Sequence, residues 1–326
     1  GTGELTKRTP AQVLSDIGSP TVVGVANKMV MFTGANAFGV AAPVPMTQSV
    51  NGLSIGTGDT QVVTFESAIN IQSALKDFLE KNTFQKNNYC YNRKTNKIIK
   101  ACVPVHVFGH PLEIDKVVTL CHEHNIKVVE DAAESLGSLY KGKHTGTFGD
   151  IGVFSLNGNK IITAGGGGVI LVKNDSIAKK IKHVLNQAKE PHSWEFVHKE
   201  LGYNYRMPNI NAALALAQLE KLDSYIIAKR IVAKKYELFF KNLNIKFLSE
   251  PVNSNSNYWL NSIIFNCSKD KESFLRYSNN SKILTRPIWT PLNRLPFLSN
   301  FQKDGLLNTS WMFDRLVNLP SSVPNN

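Results

Sequence analysis

The sequence predicts an α/β protein whose main body is a mixed, mostly parallel sheet. Three observations predict it. Apolar, β-branched runs alternate with helix-periodic segments between Ile71 and Lys173, one of those runs ends in a polar tip, and beyond Asp175 the pattern turns helical. Strand, helix, strand requires crossover connections, and crossovers bring parallel strands together.

Taken in order, Leu75, Phe78 and Leu79 give Ile71–Lys81 the spacing of a helix, and Ile98–Val107 is apolar enough for a buried strand. Pro111 opens a helix that runs to about His124, because a first turn has no use for the N–H that proline lacks. Ile126–Glu130 is a short strand with Glu130 and Asp131 at its tip. Strands Ile151–Leu156 and Gly168–Lys173 follow, separated by a loop. Asn209–Leu222 and Ser224–Asn242 carry apolar residues three and four apart, the second leading into another domain. There, a strand at Tyr258–Phe265 and a helix near Lys271–Tyr277 predict a small α+β unit. The expected organisation is an atypical segment 1–66, a large domain 67–223 and a small domain 224–326.

Composition excludes several classes. With 42% hydrophobic and 19% charged residues the chain is globular rather than disordered. The best candidate for a membrane span, Thr21–Val44, is broken by Asn27, Lys28 and Asn36, so no membrane association is expected. Cys90, Cys102, Cys121 and Cys267 have neither CxxC nor Cys/His spacing; reduced thiols in a cytoplasm, without a metal site, are expected. The net charge of +12 raises nucleic acid as a partner, but the lysines are scattered through 176–183 and 228–236 without interleaved aromatics. A solvated basic surface is the better reading, and it also suits an anionic nucleotide sugar.

Four features fall in a chemically suggestive order: Asp131 after one strand, Ser155 ending another, Lys160 in the following turn, and the run Gly165–Gly168. In open α/β sheets ligands sit at the carboxyl ends of strands. A partly desolvated lysine there suits attack on an aldehyde cofactor such as pyridoxal phosphate, whose ring nitrogen needs a carboxylate like Asp131 and whose phosphate needs short donors like Ser155. Each residue also has an ordinary reading. Lys160 alone is a surface charge, Asp131 a helix cap or ribose ligand, and the glycine run a flexible turn. His106 and His110 face substrate or are structural. Trp289 and Arg286 line a pocket or pack the small domain.

Val128–Leu171, VVEDAAESLGSLYKGKHTGTFGDIGVFSLNGNKIITAGGGGVIL, resembles the cofactor-binding core of the DegT/DnrJ/StrS sugar aminotransferases, a fold-type I pyridoxal-phosphate family. Leu201–Leu222, LGYNYRMPNINAALALAQLEKL, resembles the same family's next signature. The resemblance implies Asp131 on the pyridine nitrogen, Glu134 near the ring hydroxyl or substrate, Ser155 on the phosphate and Lys160 joined to the cofactor as a Schiff base. It implies that Asn204 and Arg206 reach into a neighbouring subunit's site, against their reading as a cap and a surface ion pair, so that the active form is at least a homodimer. Glutamate is the implied amino donor. Val105–Pro111, Asn257–Phe265, Thr285–Pro296 and Asn318–Ser322 look most like the branch that aminates UDP-linked 4-keto-6-deoxy-N-acetylhexosamines.

The resemblance covers about Ile69–Val323. The family's preceding block, a helix, a Ser-Gly-Thr turn and a strand with a ring-stacking aromatic, is expected to be missing or replaced. Gly56–Ser67 and Asn36–Val44 echo family strands out of order, and Glu4–Pro20 resembles segments of phage tail fibres. Two alternatives follow: a non-catalytic remnant or structural fusion, and a dehydratase of the same family, which carries His where Lys160 stands.

Overall fold

The computed structural model describes residues 29–32, 54–55, 60–66, 71–243, 245–303 and 305–323; the echoes at 4–20 and 36–44 lie outside them. In chain order, strands β1 (Met29–Phe32), β2 (Ser54–Ile55) and β3 (Thr60–Glu66) precede helix α1 (Ile71–Asn82). Next come the hairpin β4 (Thr83–Lys86) and β5 (Tyr89–Asn92), then β6 (Ile98–Val105), α2 (Ile114–Glu123) and β7 (Lys127–Asp131). The short pair β8 (Leu139–Tyr140) and β9 (Lys143–His144) leads to β10 (Ile151–Ser155), β11 (Gly168–Val172), α3 (Asp175–Leu185), α4 (Asn209–Leu219) and the long α5 (Leu222–Phe240). The chain closes with β12 (Lys246–Phe247), β13 (Ser254–Asn255), β14 (Asn261–Ile264), α6 (Ser268–Asn280), β15 (Arg286–Pro287), α7 (Leu307–Phe313) and β16 (Leu316–Leu319).

The large sheet runs β1-β11-β10-β7-β6-β3-β2, with β5 also on β6 and β4 on β5. Its centre is parallel: Glu66 lies opposite Val105, Val105 opposite Asp131, and Asp131 opposite Val153. Four strands therefore end along one edge, where Asp131 and Ser155 sit. Around this centre β11 runs antiparallel to β10, β1 antiparallel to β11 and β2 antiparallel to β3, so the sheet is mixed as expected. The 1–66 stretch supplies β1, β2 and β3. The echo at Gly56–Ser67 contains β3, whose TQVVTFE is rich in β-branched residues and pairs with β6 throughout its length.

Local chemistry explains where elements begin and end. Asn87 and Asn88 both have positive φ (51° and 63°), the left-handed pair that a tight two-residue hairpin between β4 and β5 requires. Helix α2 starts at Ile114 rather than Pro111, because the Leu112 N–H is held by the Nδ1 of His106 at 3.3 Å. Asn174 caps α3 by accepting from Ser176 and Ile177 at 2.9 and 3.1 Å. Helix α6 extends beyond the expected Lys271–Tyr277 at both ends.

β14 is shorter than the expected Tyr258–Phe265, because the residues before it are held by side chains instead of a strand partner. The Asn257 N–H donates to Ser138 Oγ (2.9 Å), Tyr258 N–H to Ser256 Oγ (3.0 Å) and Trp259 N–H to Asn257 Oδ1 (2.8 Å). Strands β12-β14-β16-β15 form an antiparallel sheet, and Ala233 and Phe240 of α5 pack on its Ile263, Val317 and Leu319. A second core beneath the large sheet joins Leu75, Ile99, Ile114, Ile126 and Val128.

The two sheets meet at a buried polar joint. β13 pairs with β8, Ser138 and Ser256 both donate to the Gly109 carbonyl (2.7 and 2.9 Å), and Asn257 Nδ2 donates to the carbonyls of Glu134 and Leu136 (2.9 and 2.8 Å). Gly109 has φ +89°, and a Cβ there would lie 1.9 Å from Asn257 Oδ1, so only glycine fits.

Candidate active site

β7 shows how alternation sorts two adjacent carboxylates. Successive side chains point to opposite faces of a strand. Glu130 is fully buried and accepts from the N–H groups of Gly146 (2.7 Å), Phe148 and Gly149 (both 2.6 Å), with His106 Nε2 at 3.1 Å. Burial alone would raise its pKa; His106 and the backbone donors outweigh that and hold it below the usual value. Because His106 Nδ1 accepts from Leu112, its Nε2 carries the proton given to Glu130. His106 and Glu130 are thus structural partners, and His106 does not face substrate.

Asp131 emerges on the other face at the strand end. Burial raises its pKa, while the Ala133 N–H (3.1 Å), His106 and Lys160 pull the other way. Three residues on, Glu134 accepts from the Phe108 N–H at 2.7 Å. Burial pushes Glu134 up from 4.5 to about 7, with Asp131 adding to the rise and Lys160 opposing it. Phe108 sits at φ 59°, an uncommon conformation for a bulky residue and one that recurs beside functional sites.

Lys160 lies in the turn after β10, its N–H donating to the Asn157 carbonyl at 3.0 Å. Its Nζ is 3.8 Å from Glu134 Oε1, and the side chains are 13% and 16% exposed. On the other side, the ammonium sits 3.8 Å from the centroid of the Trp259 ring. Burial lowers the Lys160 pKa, opposed by Glu134 and Asp131. Trp259 is itself fixed, its indole N–H donating to the Asn159 carbonyl at 2.7 Å. Ser155 closes β10, opposite Gly168, and its Oγ accepts from the Asn157 N–H at 3.3 Å. The glycine run is a defined turn: Gly165 and Gly167 take φ +79° and +93°, and the Gly167 carbonyl accepts from Leu156.

Asp131, Glu134, Ser155 and Lys160 thus converge on one edge of the sheet. Asn204 and Arg206 do not: within one chain both are exposed. Asn204 caps no helix, since Pro208 stands at the start of α4, and it bridges Asn186 instead. His110 is buried with both ring nitrogens lacking a partner among the described residues, and burial lowers it to about 4. A cavity of about 990 Å³ opens beside Lys160, with Trp259, Arg286 and Trp289 in its walls, so Arg286 and Trp289 are pocket residues. Asp131, Glu134 and Ser155 are not in those walls.

Sequence reasoning passed over two residues here. Trp259 lies within the motif Asn257–Phe265, but one hundred residues separate it from Asn159, and no spacing rule reaches that far. Lys229, on α5, also lines the cavity, whereas its sequence surroundings at 228–236 point only to a scattered surface lysine. Among the described residues no cluster of three or more His, Cys, Asp or Glu could hold a metal ion, and no helix is long and apolar enough to cross a membrane.

Comparison with known proteins gives this edge a context. GDP-perosamine synthase of Escherichia coli O157:H7 is 35% identical over 281 residues, covering 82% of this chain and 75% of that protein. GDP-perosamine synthase of Vibrio cholerae is 33% identical over 289 residues, 85% of this chain and 78% of that one. Among solved structures, Helicobacter pylori PseC, an aminotransferase involved in the biosynthesis of pseudoaminic acid, superposes with a TM-score of 0.72 at 20% identity, over 98% of this chain and 88% of that one. The aminotransferase TlmJ from Streptoalloteichus hindustanus superposes with a TM-score of 0.65 at 22% identity, over 68% of this chain and 60% of that one. These neighbours share the fold, that of the pyridoxal-phosphate-dependent sugar aminotransferases. The family profile described as DegT/DnrJ/EryC1/StrS aminotransferase matches residues 77–324, and the chain belongs to that pyridoxal-phosphate-dependent family.

Proposed function

We propose that the chain transfers an amino group, with glutamate as donor, to a ketone of a nucleotide-linked sugar. The observation that carries the reading is the placement of Lys160: a partly desolvated amine between Glu134 and Trp259, within electrostatic reach of Asp131, at the carboxyl edge of the parallel strands. This donor set fits pyridoxal phosphate, with Lys160 as covalent anchor, Asp131 as the carboxylate for the ring nitrogen, Glu134 near the ring hydroxyl or substrate and Ser155 as a phosphate donor. When bound, the cofactor supplies an electron sink through which an amino group is exchanged for a ketone.

The protein's own groups handle the protons. Burial makes the Lys160 amine easier to deprotonate than a solvated lysine, which favours attack on a carbonyl. Once free, the same amine serves as general base and acid at the substrate carbon. Glu134, at about 7, exchanges protons near neutral pH from 3.8 Å away. Asn204 and Arg206 complete the site from a second copy in a homodimer, and cytoplasmic placement goes with this reading. For the sugar, the names of two relatives favour a GDP-linked substrate, while the four motifs of the sequence favour a UDP-linked 4-keto-6-deoxy-N-acetylhexosamine.

The test is direct. Purified protein incubated with pyridoxal phosphate and then reduced with borohydride should carry the cofactor on Lys160 by peptide mass mapping, and Lys160→Ala should lose it. Unreduced protein loaded with pyridoxal phosphate and supplied with glutamate and either keto-sugar then distinguishes the nucleotides. Absence of label at Lys160 overturns the reading in favour of a non-catalytic remnant.

A further inference from the structure

Phe108 joins the carboxylate beside Lys160 to the other sheet. Its N–H donates to Glu134 Oε2 at 2.7 Å, and the second oxygen of that carboxylate, Oε1, lies 3.8 Å from Lys160 Nζ. The Phe108 carbonyl accepts from the Leu260 N–H at 3.4 Å, immediately before β14. Its ring is 2% exposed and packs with Ile264 of β14 and Leu316 of β16, which lie opposite each other in the β12-β14-β16-β15 sheet. A residue that follows β6 of the large sheet is thereby rooted in the core of the smaller one.

The backbone shows that this placement is enforced. A φ of 59° is unfavourable for a residue with a side chain, and glycine would adopt it freely. Such a conformation persists only where the surroundings over-determine it, and here ring and N–H each have fixed partners. Of the charged groups around Glu134, Lys160 in the turn after β10 favours its ionised form and Asp131 of β7 opposes it, while the Phe108 N–H adds to the effect of Lys160. We propose that Phe108 is a positioning residue: its ring, seated among Ile264 and Leu316, holds its N–H on Glu134 Oε2 and so keeps Oε1 facing Lys160. The packing of the smaller sheet thereby sets the geometry of the Glu134 and Lys160 pair. The assignment rests on the reading of those two side chains as the proton-handling pair given above.

The test is infrared titration of the cofactor-free full chain, reading the carbonyl stretch of protonated Glu134, identified by its absence from Glu134→Gln. Phenyllactate placed at position 108 by nonsense suppression replaces the N–H with an ester oxygen and keeps the ring. The midpoint then rises from about 7 by about one unit, because a donor that favours the charged form is lost. The ester also weakens the Val107 carbonyl, which accepts from the His110 N–H. Phe108→Gly leaves that carbonyl in an amide, suits the positive φ and removes only the anchor; its midpoint rises as well. Leu316→Ala, or Leu316→Val should the alanine variant not fold, raises the midpoint by loosening the ring, and adds nothing in the ester background. Leu75→Ala, an equally buried deletion in the core beneath the large sheet, leaves the midpoint in place.

The proposal is overturned if the ester titrates like wild type, if Phe108→Gly or the Leu316 variant does, if Leu316→Ala shifts the ester further, or if Leu75→Ala moves the midpoint as far as Leu316→Ala. Borohydride labelling is a separate outcome. A Lys160 that takes no label while the midpoints move as stated sinks the transaminase reading alone, and unmoved midpoints with normal labelling sink this one alone.

Discussion

Replacing Glu134 by Gln should make the protein more stable, and by an amount that depends on pH. Glu134 is held at about 7 in the fold against 4.5 for a free side chain. A carboxyl whose folded pKa is raised keeps its proton in the native state while the unfolded chain has already released it, so it costs stability as pH rises from the unfolded to the folded value. Each pH unit in that window is worth about 1.4 kcal/mol, so the full cost of Glu134 by about pH 8 is on the order of 3 kcal/mol, falling below about 1 kcal/mol near pH 5. Gln has no charge to desolvate and still offers an oxygen to the Phe108 N–H now 2.7 Å away. Denaturant unfolding of cofactor-free protein at the two pH values reads the difference. A gain equal at both, or a loss near pH 8, would refute the reasoning. The same variant should lose transaminase activity, because the group that destabilises the fold is the one placed beside the lysine.

Three further outcomes follow from the geometry. Glu130→Ala leaves three buried N–H donors and His106 without their acceptor, and should cost on the order of 3–5 kcal/mol at neutral pH. Since the folded pKa of Glu130 is depressed, that deficit is complete above the unfolded value of about 4.5 and shrinks as pH falls through the folded one, as urea midpoints across pH would record. Trp259→Phe keeps a ring over Lys160 but loses the 2.7 Å bond to Asn159, costing about 1 kcal/mol, whereas Trp259→Ala costs about 3–5 kcal/mol and slows cofactor labelling at Lys160. Arg206→Ala changes an exposed residue and should leave the melting temperature unaltered; mixing it with Lys160→Ala should restore activity that neither variant has alone, and failure of that complementation counts against a shared site.

Much of the large sheet was legible because its signal is local. Ile98–Val105 and Ile151–Ser155 are short apolar runs whose ends fall within two residues of where periodicity puts them. Asp131, Ser155 and Lys160 were legible as a group because strand ends are a place where ligands collect. The N-terminal strands were harder: β3 is seven residues whose only distinction is β-branching, and its central position comes from pairing with β6, more than thirty residues away. The start of α2 was misjudged because one backbone N–H is taken by His106, a long-range event invisible to a helix rule. Trp259 and Lys229 escaped for the same reason. Their importance comes from what surrounds them, and the sequence around each reads as ordinary core strand and ordinary basic helix.

The surroundings of the reactive lysine are gathered from widely separated parts of the chain: Glu134 from before it, Trp259 from a hundred residues after Asn159, and Lys229 bracing Trp259 against the Ser321 carbonyl near the far end. Contacts so distant along the chain form late, after the loops between them have closed. During synthesis, therefore, Lys160 leaves the ribosome as a solvated, protonated side chain with little appetite for free aldehydes. On the reading of Lys160 as the cofactor's anchor, its amine gains nucleophilic character only once Trp259 and Lys229 have docked around it.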